Sequence, residues 1–227
     1  MRAELWIDAD DTLWENNIFF ERAFERFVEL LGHSTMSEDE VRVVLDEIED
    51  VNRRIHGYGA SNFVRNLQEC LERLAERPLK ASDHEALRGL EDELVNHPLE
   101  LIDGVQDTLA YLNARHQLML CTKGNPGEQQ AKIERSGLLE HFHAVRIVKE
   151  KDAECYRSLA GERGVDPGRC WMIGNSPKSD INPALEAGLG AVFIPHPHTW
   201  HLEHMDVPDG HDRLLVLERF SGLREYF

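Results

Sequence analysis

Short apolar runs alternate with helix-sized amphipathic segments through most of the chain. The runs are continuously apolar, which indicates strands covered on both faces, as in a parallel sheet flanked by helices. Single helix-sized segments separate the last four runs, and this is the pattern of consecutive βαβ units. The predicted fold is therefore α/β, a doubly wound, Rossmann-like parallel sheet. The five predicted strands are Glu4–Asp8, Gln117–Thr122, Ala144–Val148, Cys170–Gly174 and Ala191–Ile194.

The long interval between the first two strands has a helical pattern instead. Its apolar residues recur at i, i+3/i+4 spacing, which is typical of amphipathic helices that bury one face. We therefore expect a helical domain of residues 16–95, inserted into a core formed by residues 1–15 and 96–227. The four apolar stripes lie within residues 19–31, 41–51, 63–74 and 87–94.

Local signals predict where some elements begin. Ser37-x-x-Glu40 and Ser82-x-x-Glu85 both have the spacing of a capping box, in which the two side chains satisfy free amides at a helix start. They predict the starts of the second and fourth helices of the insertion. At the end of the chain, residues 213–227 are expected to add a final strand or a packing helix.

The charge balance limits the partners. The 227 residues include 42 acidic and 25 basic side chains, giving a formal net charge of −17. A field of this sign disfavours nucleic acid as a partner. It also opposes anionic substrates, so a phosphate site would need locally positive groups such as lysines, backbone amides or a metal ion.

Composition also predicts the compartment. No stretch approaches the roughly 18–20 consecutive apolar residues of a membrane span, and the first residues lack the apolar run of a signal peptide. The four cysteines are widely spaced, and Cys121 and Cys170 lie inside apolar runs, as buried thiols do in a reducing compartment. We expect a cytoplasmic protein that is not associated with membranes, as a monomer or a homodimer.

The most specific chemistry follows the first strand. Asp8 and Asp10 lie two residues apart at the end of a buried strand, where two carboxylates are costly to hold together without a cation. A hard divalent ion such as Mg²⁺, which takes oxygen ligands, would resolve the repulsion. The alternative is a simple acidic turn, which this position after a buried strand makes less favourable.

Polar clusters also follow the other strands. Thr122 and Lys123 precede a helix start at Pro126, and together with free amides they form a candidate anion site. The fourth strand leads into residues 174–180, a second oxygen-bearing cluster, although an Asx-rich loop that caps a helix would read the same way. Four of the six lysines lie in these loops, which would supply local positive charge: Lys123, Lys149, Lys151 and Lys178.

Taken together, these segments resemble the haloacid dehalogenase superfamily, on its phosphatase branch. The order and placement of the motifs, each at the end of a successive strand, carry the resemblance over about residues 4–195. The matching segments are Ile7–Leu13, Leu120–Asn125, Lys149–Tyr156 and Met172–Gly188.

The resemblance implies a role for each catalytic position. Asp8 would be the nucleophile and would form an aspartyl-phosphate. Asp10 would protonate the leaving oxygen and then deprotonate the water that hydrolyses the intermediate. Thr122 would hydrogen-bond the transferring phosphoryl group, and Lys151 would neutralise its charge. Lys149 is the rival for the lysine role, with a spacing that fits less well.

The resemblance also implies a Mg²⁺ site. Asp8, the backbone carbonyl of Asp10, Asn175 and Asp180 would hold the ion, which offsets the repulsion between a carboxylate nucleophile and a phosphate dianion. The family usually has aspartate where Asn175 stands, so the ligand here is neutral and Asp180 should matter more. Many relatives have glycine at the position of Asp11, which adds a negative charge near the site.

The helical insertion would correspond to the mobile cap of the family, which excludes water from the nucleophile. Tyr58 and Asn62 lie in a glycine-containing segment between two of its helices and are candidates to contact the leaving group, although the segment could equally be an ordinary turn. Among later residues, the histidines at 196, 198, 201 and 204 could bind Zn²⁺ or Ni²⁺, but surface histidines are the favoured interpretation.

The leading hypothesis is a Mg²⁺-dependent phosphatase that acts on a small phosphorylated metabolite. A metal-free 2-haloacid dehalogenase also uses an aspartate nucleophile but has no need of a second carboxylate at Asp10. A phosphonatase would be expected to supply a lysine from the cap, where only Lys80 is available near one end. A catalytically weak phosphate-binding module is supported only by Asn175 and the acidic surface.

Overall fold

The computed structural model describes residues 2–227 and contains a six-stranded parallel sheet. The strand order is β3-β2-β1-β4-β5-β6, so the chain winds to one side of β1 and then returns to the other. This confirms the predicted doubly wound α/β fold. The strands are β1 (Glu4–Ile7), β2 (Gln117–Lys123), β3 (Ala144–Val148), β4 (Cys170–Gly174), β5 (Gly190–Phe193) and β6 (Leu214–Val216).

Eight α-helices accompany the sheet in the described part of the chain. The last of them continues directly from a π-helical turn at Pro177–Ile181. The helices are α1 (Asn17–Leu31), α2 (Glu38–His56), α3 (Ala60–Leu74), α4 (Ala81–Asn96), α5 (Val105–Asn113), α6 (Pro126–Ser136), α7 (Ala153–Arg163) and α8 (Asn182–Glu186).

The central strand shows why the apolar runs form a covered sheet. Leu5 and Ile7 point into one hydrophobic cluster and Trp6 into another, and all three side chains are fully buried. Successive side chains of a strand face opposite sides of the sheet, so a continuous apolar run requires helices on both faces. The layers that cover β1 therefore follow from the sequence of the strand itself.

The chain divides into two compact units. One, the α/β unit, holds the chain up to Asn17 together with Leu99–Phe227, and the other, the helical unit, is Ile18–Pro98. The helical unit has a hydrophobic core of its own, which includes Phe24, Phe27 and Leu45. Each unit thus buries its own apolar residues.

Of the two predicted capping boxes, one is confirmed and one is wrong. Ser37 caps α2, with its amide donating to the carboxylate of Glu40 at 2.8 Å. Ser82 lies inside the first turn of α4, because the helix already begins at Ala81. The carboxylate of Asp83 accepts the amide of Lys80 at 2.8 Å and also pairs with Arg77, so this aspartate caps the helix instead.

The remaining predictions concern the C-terminal segment and the thiols. The segment adds the edge strand β6, followed by a 3₁₀ turn at Phe220–Glu225 that buries Phe220. The four cysteines are free, and Cys121 and Cys170 are buried as predicted. Within residues 2–227, none of the helices combines the length and the apolarity that crossing a bilayer requires.

The strand order also locates the place where a ligand is expected. In open parallel sheets, ligands bind beyond the carboxyl ends of the strands, where the winding direction reverses. Here the reversal lies beside β1, between β2 and β4. The residues that follow these strands are therefore the ones that can form a site.

Candidate active site

Asp8 follows β1 directly and lies at the centre of the site. Its amide donates to the carbonyl oxygen of Ile173 at 2.9 Å, which extends the pairing with β4 by one residue. The side chain is buried, and its carboxylate accepts hydrogen bonds from Lys151 and from the hydroxyl of Thr12, the latter at 3.3 Å. The backbone of the sheet thus fixes the direction of this carboxylate.

Lys151 joins two carboxylates. Its buried ammonium group donates to Asp8 and to Oδ1 of Asp180, the latter at 2.7 Å. Burial disfavours the charged ammonium, but the charges of Asp180 and Asp8 outweigh it and hold the pKa of Lys151 above its ordinary value. Lys149 is exposed, so Lys151 is the lysine that reaches Asp8.

The charges around Asp8 do not balance. Burial raises the pKa of Asp8 to about 7; the charge of Lys151 lowers it, and the charge of Asp180 raises it again. One lysine thus faces two buried carboxylates, and charges in such an environment are stable only when paired. A divalent cation would supply the missing positive charge.

The donor set beside Asp8 consists of oxygen atoms. The hydroxyl of Thr12 lies 3.3 Å from Oδ2 of Asp8 and 3.2 Å from Oδ1 of Asn175, so these two oxygens lie near the same point. The Asn175 amide has a fixed direction, because its Nδ2 donates to the hydroxyl of Thr199 at 2.9 Å. Oxygen donors and uncompensated negative charge are what Mg²⁺ requires, and these residues fit it.

Gly174 makes room for this arrangement. A Cβ atom at this position would lie 2.1 Å from Oδ2 of Asp180, far inside van der Waals contact. The same oxygen accepts the amide of Ser176 at 3.0 Å, which closes the turn after β4. The glycine is therefore needed for a close approach of the Asp180 carboxylate to the strand.

Asp10 has different surroundings from Asp8. Its carboxylate pairs with Lys132, whose Nζ lies 2.7 Å from Oδ1 and 2.8 Å from Oδ2, and it accepts the indole N–H of Trp14 at 2.7 Å. Burial raises the pKa of Asp10, but the charge of Lys132 and these hydrogen bonds outweigh burial and hold the pKa below its ordinary value. Asp10 is therefore held as a carboxylate.

Gln129 links Asp10 to the end of β2. Its Nε2 lies 2.7 Å from the hydroxyl oxygen of Thr122, 2.9 Å from the carbonyl oxygen of Lys123 and 3.1 Å from Oδ2 of Asp10. The Thr122 hydroxyl accepts from Gln129, which leaves its own hydrogen available to a bound anion. Thr122 and Asp10 thus belong to one hydrogen-bonded group.

Lys123 is directed to a different group of side chains. Its ammonium donates to Glu203 at 2.6 Å and to the hydroxyl of Ser179 at 2.8 Å. Glu203 also accepts the hydroxyl of Ser176 at 2.6 Å, so a carboxylate from the C-terminal region ties the ends of β2 and β4 together. Lys123 is thus engaged by Glu203, and its role in substrate binding stays a prediction.

Asp11 has a backbone conformation that favours glycine. Its φ of 57° lies in the left-handed region, where glycine is favoured and aspartate is tolerated because it bonds nearby backbone. Its carboxylate accepts the amides of Asn16 at 2.9 Å and Asn17 at 3.0 Å. The side chain therefore supports the start of α1.

Tyr58 and Asn62 belong to the helical unit. The amide of Asn62 donates to the carbonyl oxygens of His56 at 2.6 Å and Tyr58 at 3.3 Å, which fastens the turn between α2 and α3. Of the four C-terminal histidines, His196 has its Nε2 3.2 Å from Glu15, and His204 is exposed. Among residues 2–227, no group of potential metal ligands includes two of these four histidines.

Sequence reasoning missed several residues at the site. Thr12, Gln129 and Lys132 touch Asp8 or Asp10, and Glu203 fastens the strand ends. One feature of the sequence points to Lys132, since it is the only lysine of the α/β unit outside the loops that follow the strands. The i, i+3 spacing of Gln129 and Lys132 on one helix face was a second signal.

The chain is similar to known hydrolases. A profile of haloacid dehalogenase-like hydrolases matches residues 6–188. The N-acylneuraminate-9-phosphatase of Homo sapiens is 24% identical over 202 residues, which cover 83% of this chain and 80% of that protein. The phosphoserine phosphatase of Thermus thermophilus is 27% identical over 186 residues, which cover 78% and 70%.

Solved structures extend the likeness to nearly the whole chain. A haloacid dehalogenase-like family hydrolase from Xanthomonas campestris superposes with a TM-score of 0.85 at 29% identity, covering 99% of this chain and 94% of that one. A 2-haloacid dehalogenase from Pseudomonas syringae gives a TM-score of 0.64 at 19% identity, with coverages of 99% and 97%. The second likeness is one of fold alone.

Proposed function

This chain belongs to the haloacid dehalogenase-like hydrolases, and we propose that it is a Mg²⁺-dependent phosphatase that hydrolyses a small phosphate monoester through an aspartyl-phosphate on Asp8. The observation that carries the proposal is the second carboxylate, Asp10, held two residues beyond Asp8 by Lys132 and Trp14. Hydrolysis of the intermediate needs such a group for proton transfer, and so does transfer of a phosphoryl group to Asp8 when the leaving group is poor.

The residues of the site divide the reaction between them. The Asp8 carboxylate attacks phosphorus in line with the leaving oxygen, and Lys151 holds that carboxylate in place while its charge stabilises the equatorial oxygens. Thr122 donates its free hydroxyl hydrogen to the phosphoryl group. As the carboxylate that Lys132 holds, Asp10 can take a proton from the water that hydrolyses the intermediate. To assist a poor leaving group it must first take up a proton, which it then gives to the leaving oxygen.

We assign the metal ligands to Asp8, the backbone carbonyl of Asp10, Asn175 and Asp180. When bound there, Mg²⁺ supplies charge that offsets repulsion between the nucleophile and a phosphate dianion. The assignment is supported by the charge balance, since one buried ammonium group, that of Lys151, pairs with two buried carboxylates, those of Asp8 and Asp180.

The names of two relatives suggest the class of substrate. N-acylneuraminate-9-phosphatase and phosphoserine phosphatase are both named for small, polar phosphate monoesters, so we propose a small phosphorylated metabolite for this chain. The assignment of the helical insertion as a cap, and of Tyr58 and Asn62 as its contacts to the leaving group, stays a prediction from the sequence. So do the cytoplasmic location and the monomeric or dimeric state.

The direct test is hydrolysis of a 4-nitrophenyl phosphate by wild type and by Asp8→Asn, each with Mg²⁺ or with EDTA. We expect turnover only in wild type with Mg²⁺. Asp209→Asn, which neutralises an exposed aspartate outside the site, is the matched control and should retain wild-type activity. Turnover that persists in Asp8→Asn would exclude Asp8 as the nucleophile.

Two further assays separate the alternatives. Chloride release from a 2-chloropropionate without Mg²⁺, in the absence of phosphatase activity, would favour a dehalogenase. Binding of inorganic phosphate by calorimetry without turnover of any ester would favour a binding module. The ion pair that holds Asp10 argues against both, since neither function needs an oriented second carboxylate.

A further inference from the structure

Helix α6 directs two polar side chains at Asp10. Lys132 lies 2.7 Å and 2.8 Å from the two carboxylate oxygens, and Gln129, one turn earlier, lies 3.1 Å from Oδ2. The third neighbour is the indole of Trp14, 2.7 Å from Oδ1. Neither helix residue belongs to the segments that carry the family resemblance.

The two carboxylate oxygens are not equivalent. Oδ1 accepts from both Trp14 and Lys132, and both contacts are 2.7 Å long. Oδ2 is near Lys132 and Gln129, but the Gln129 amide has two hydrogens for three acceptors, of which Oδ2 is the most distant. Oδ1 is thus the anchored oxygen, and Oδ2 keeps a lone pair for proton transfer.

The contacts of Lys132 hold its side chain in place. Its side chain is 14% exposed, and Nζ also donates to Oδ1 of Asn16 at 3.0 Å. The start of α6 is fixed because the Asn125 side chain accepts the amide of Gly127 at 2.9 Å. A charge-assisted contact to both oxygens of a carboxylate opposes its rotation.

We infer that Lys132 is a positioning residue that fixes the Asp10 carboxylate so that Oδ2 carries out proton transfer. This inference rests on the proposed function. In the hydrolytic step, the water oxygen bonds to phosphorus while the bond from phosphorus to Asp8 breaks, and its electron pair returns to the Asp8 carboxylate. The proton of that water moves to Oδ2 of Asp10.

The choice of substrate separates this role from a general loss of structure. The leaving group of 4-nitrophenyl phosphate is stable without a proton, so transfer of its phosphoryl group to Asp8 needs no help from Asp10. Hydrolysis of the aspartyl-phosphate does need Asp10. Loss of Lys132 should therefore slow the second step of this reaction and spare the first.

The experiment compares Lys132→Met with wild type by steady-state and rapid-mixing kinetics on 4-nitrophenyl phosphate with Mg²⁺. We expect kcat to fall at least about tenfold, part of the roughly 10²–10⁴-fold that acid–base catalysis contributes. KM should fall in parallel, leaving kcat/KM within about twofold, because kcat/KM reports only the first step. Nitrophenolate should appear in a burst equal to the enzyme concentration. With an alkyl phosphate, whose leaving group needs a proton, both kcat and kcat/KM should fall.

Two variants complete the design. Lys132→Arg keeps the positive charge and should recover most of kcat, and Lys149→Met removes an exposed lysine outside the site and should match wild type. The burst amplitude counts active sites, so a partly unfolded variant would show a smaller burst and an unchanged rate per site.

The outcomes distinguish the two proposals. An unchanged kcat in Lys132→Met, or a parallel loss of kcat and kcat/KM on the aryl ester without a burst, would overturn the inference and leave the proposed function intact. A wild type that hydrolyses no phosphate ester would overturn the proposed function, and the inference with it.

Discussion

Two aspartates that lie two residues apart behave in opposite ways, because their neighbours differ. Burial and Asp180 raise the pKa of Asp8 to about 7 despite Lys151, whereas Lys132 and Trp14 hold the pKa of Asp10 below its ordinary value. Environments that separate the pKa values of paired acids are typical of sites that assign them different roles. The proposed division into nucleophile and proton carrier rests on the contacts of the two carboxylates, because Lys151 binds Asp8 while Lys132 and Trp14 hold Asp10.

Asp11 should make the stability of the protein depend on pH. Burial raises its pKa from 3.8 to about 7, so the folded state binds more protons than the unfolded state between these values. Protonated Asp11 therefore stabilises the fold at low pH, and the free energy of unfolding falls as pH rises from about 4 to about 7. Asp11→Asn removes that titration and keeps a residue that tolerates a positive φ.

Urea unfolding at pH 5 and pH 8 measures this effect. We expect Asp11→Asn to exceed wild type in stability at pH 8 by about 1–3 kcal/mol, since one pKa unit corresponds to about 1.4 kcal/mol, and to gain little at pH 5. Asp209→Asn, on the surface, should follow wild type at both values. An equal gain at both pH values would show that Asp11 does not titrate in this range.

The site residues that could be predicted are those with a local signal. Asp8 and Asp10 follow an apolar strand, and the family resemblance assigns Lys151 in the loop after the third strand. Lys132 is far from Asp10 in sequence, and Glu203 far from Lys123, so only the fold brings them together. Spacing within α6 places Gln129 and Lys132 on one helix face, but it does not show that this face meets Asp10.

At the scale of elements, the ends of strands determine the site. The strand β4 ends at Gly174 and runs through Ser176 into a π-helical turn, which brings the Asp180 carboxylate back against the strand end. A π-helical turn inside a helix is uncommon and is frequent at functional sites. The geometry of this turn depends on Gly174, because a side chain there would collide with Asp180.

Gly174→Ala should therefore abolish the activity. The added methyl group collides with the Asp180 carboxylate, whose displacement would disturb both Lys151 and the proposed metal site. We expect kcat on 4-nitrophenyl phosphate to fall by at least about 100-fold, as when a catalytic group is misplaced by about 1 Å.

Gly161→Ala is the matched control for this substitution. Gly161 lies in α7 with nothing within 4 Å of its Cβ position, and alanine should raise the free energy of unfolding by about 0.5–1 kcal/mol without changing kcat. Wild-type activity in Gly174→Ala would contradict the placement of Asp180 in the site.

The elements themselves were predictable where burial imposes a pattern. Strands covered on both faces must be continuously apolar, and the helices of the insertion must repeat their apolar residues with helical period. The wrong start of α4 has a physical reason, because Asp83 is held by Arg77 and the Lys80 amide. The Ser82-x-x-Glu85 spacing does not reveal the contact between Asp83 and Arg77.

At the scale of the whole molecule, the acidic surface and the site have opposite requirements. The net charge of −17 repels a phosphate dianion at long range, while Lys151 and Lys132 lie at the two carboxylates that we propose take part in the reaction. The positive charge near the two carboxylates must therefore outweigh the negative field of the whole molecule. A bound Mg²⁺ ion would add to this positive charge, and its binding would stabilise the folded protein.

Thermal unfolding with and without Mg²⁺ tests that link. At a concentration of 100 times its Kd, an ion that binds only the folded state adds about 2.7 kcal/mol, or about 5–10 °C in Tm. Asn175→Asp should enlarge the shift, because a carboxylate adds charge to the site, and Asp180→Asn should reduce it. Potassium chloride at matched ionic strength is the control. An equal shift in all three proteins would place the ion elsewhere.

The most direct measurement of the central claim is the covalent state of Asp8 during turnover. Wild type is mixed with 4-nitrophenyl phosphate and Mg²⁺, quenched in acid within the first turnover, and digested for mass spectrometry. The account predicts a phosphoryl group on the Asp8 side chain, absent from Asp8→Asn and accumulating further in Lys132→Met. Release of inorganic phosphate from wild type with no adduct on Asp8 in any sample would contradict it, since water would then attack the ester directly.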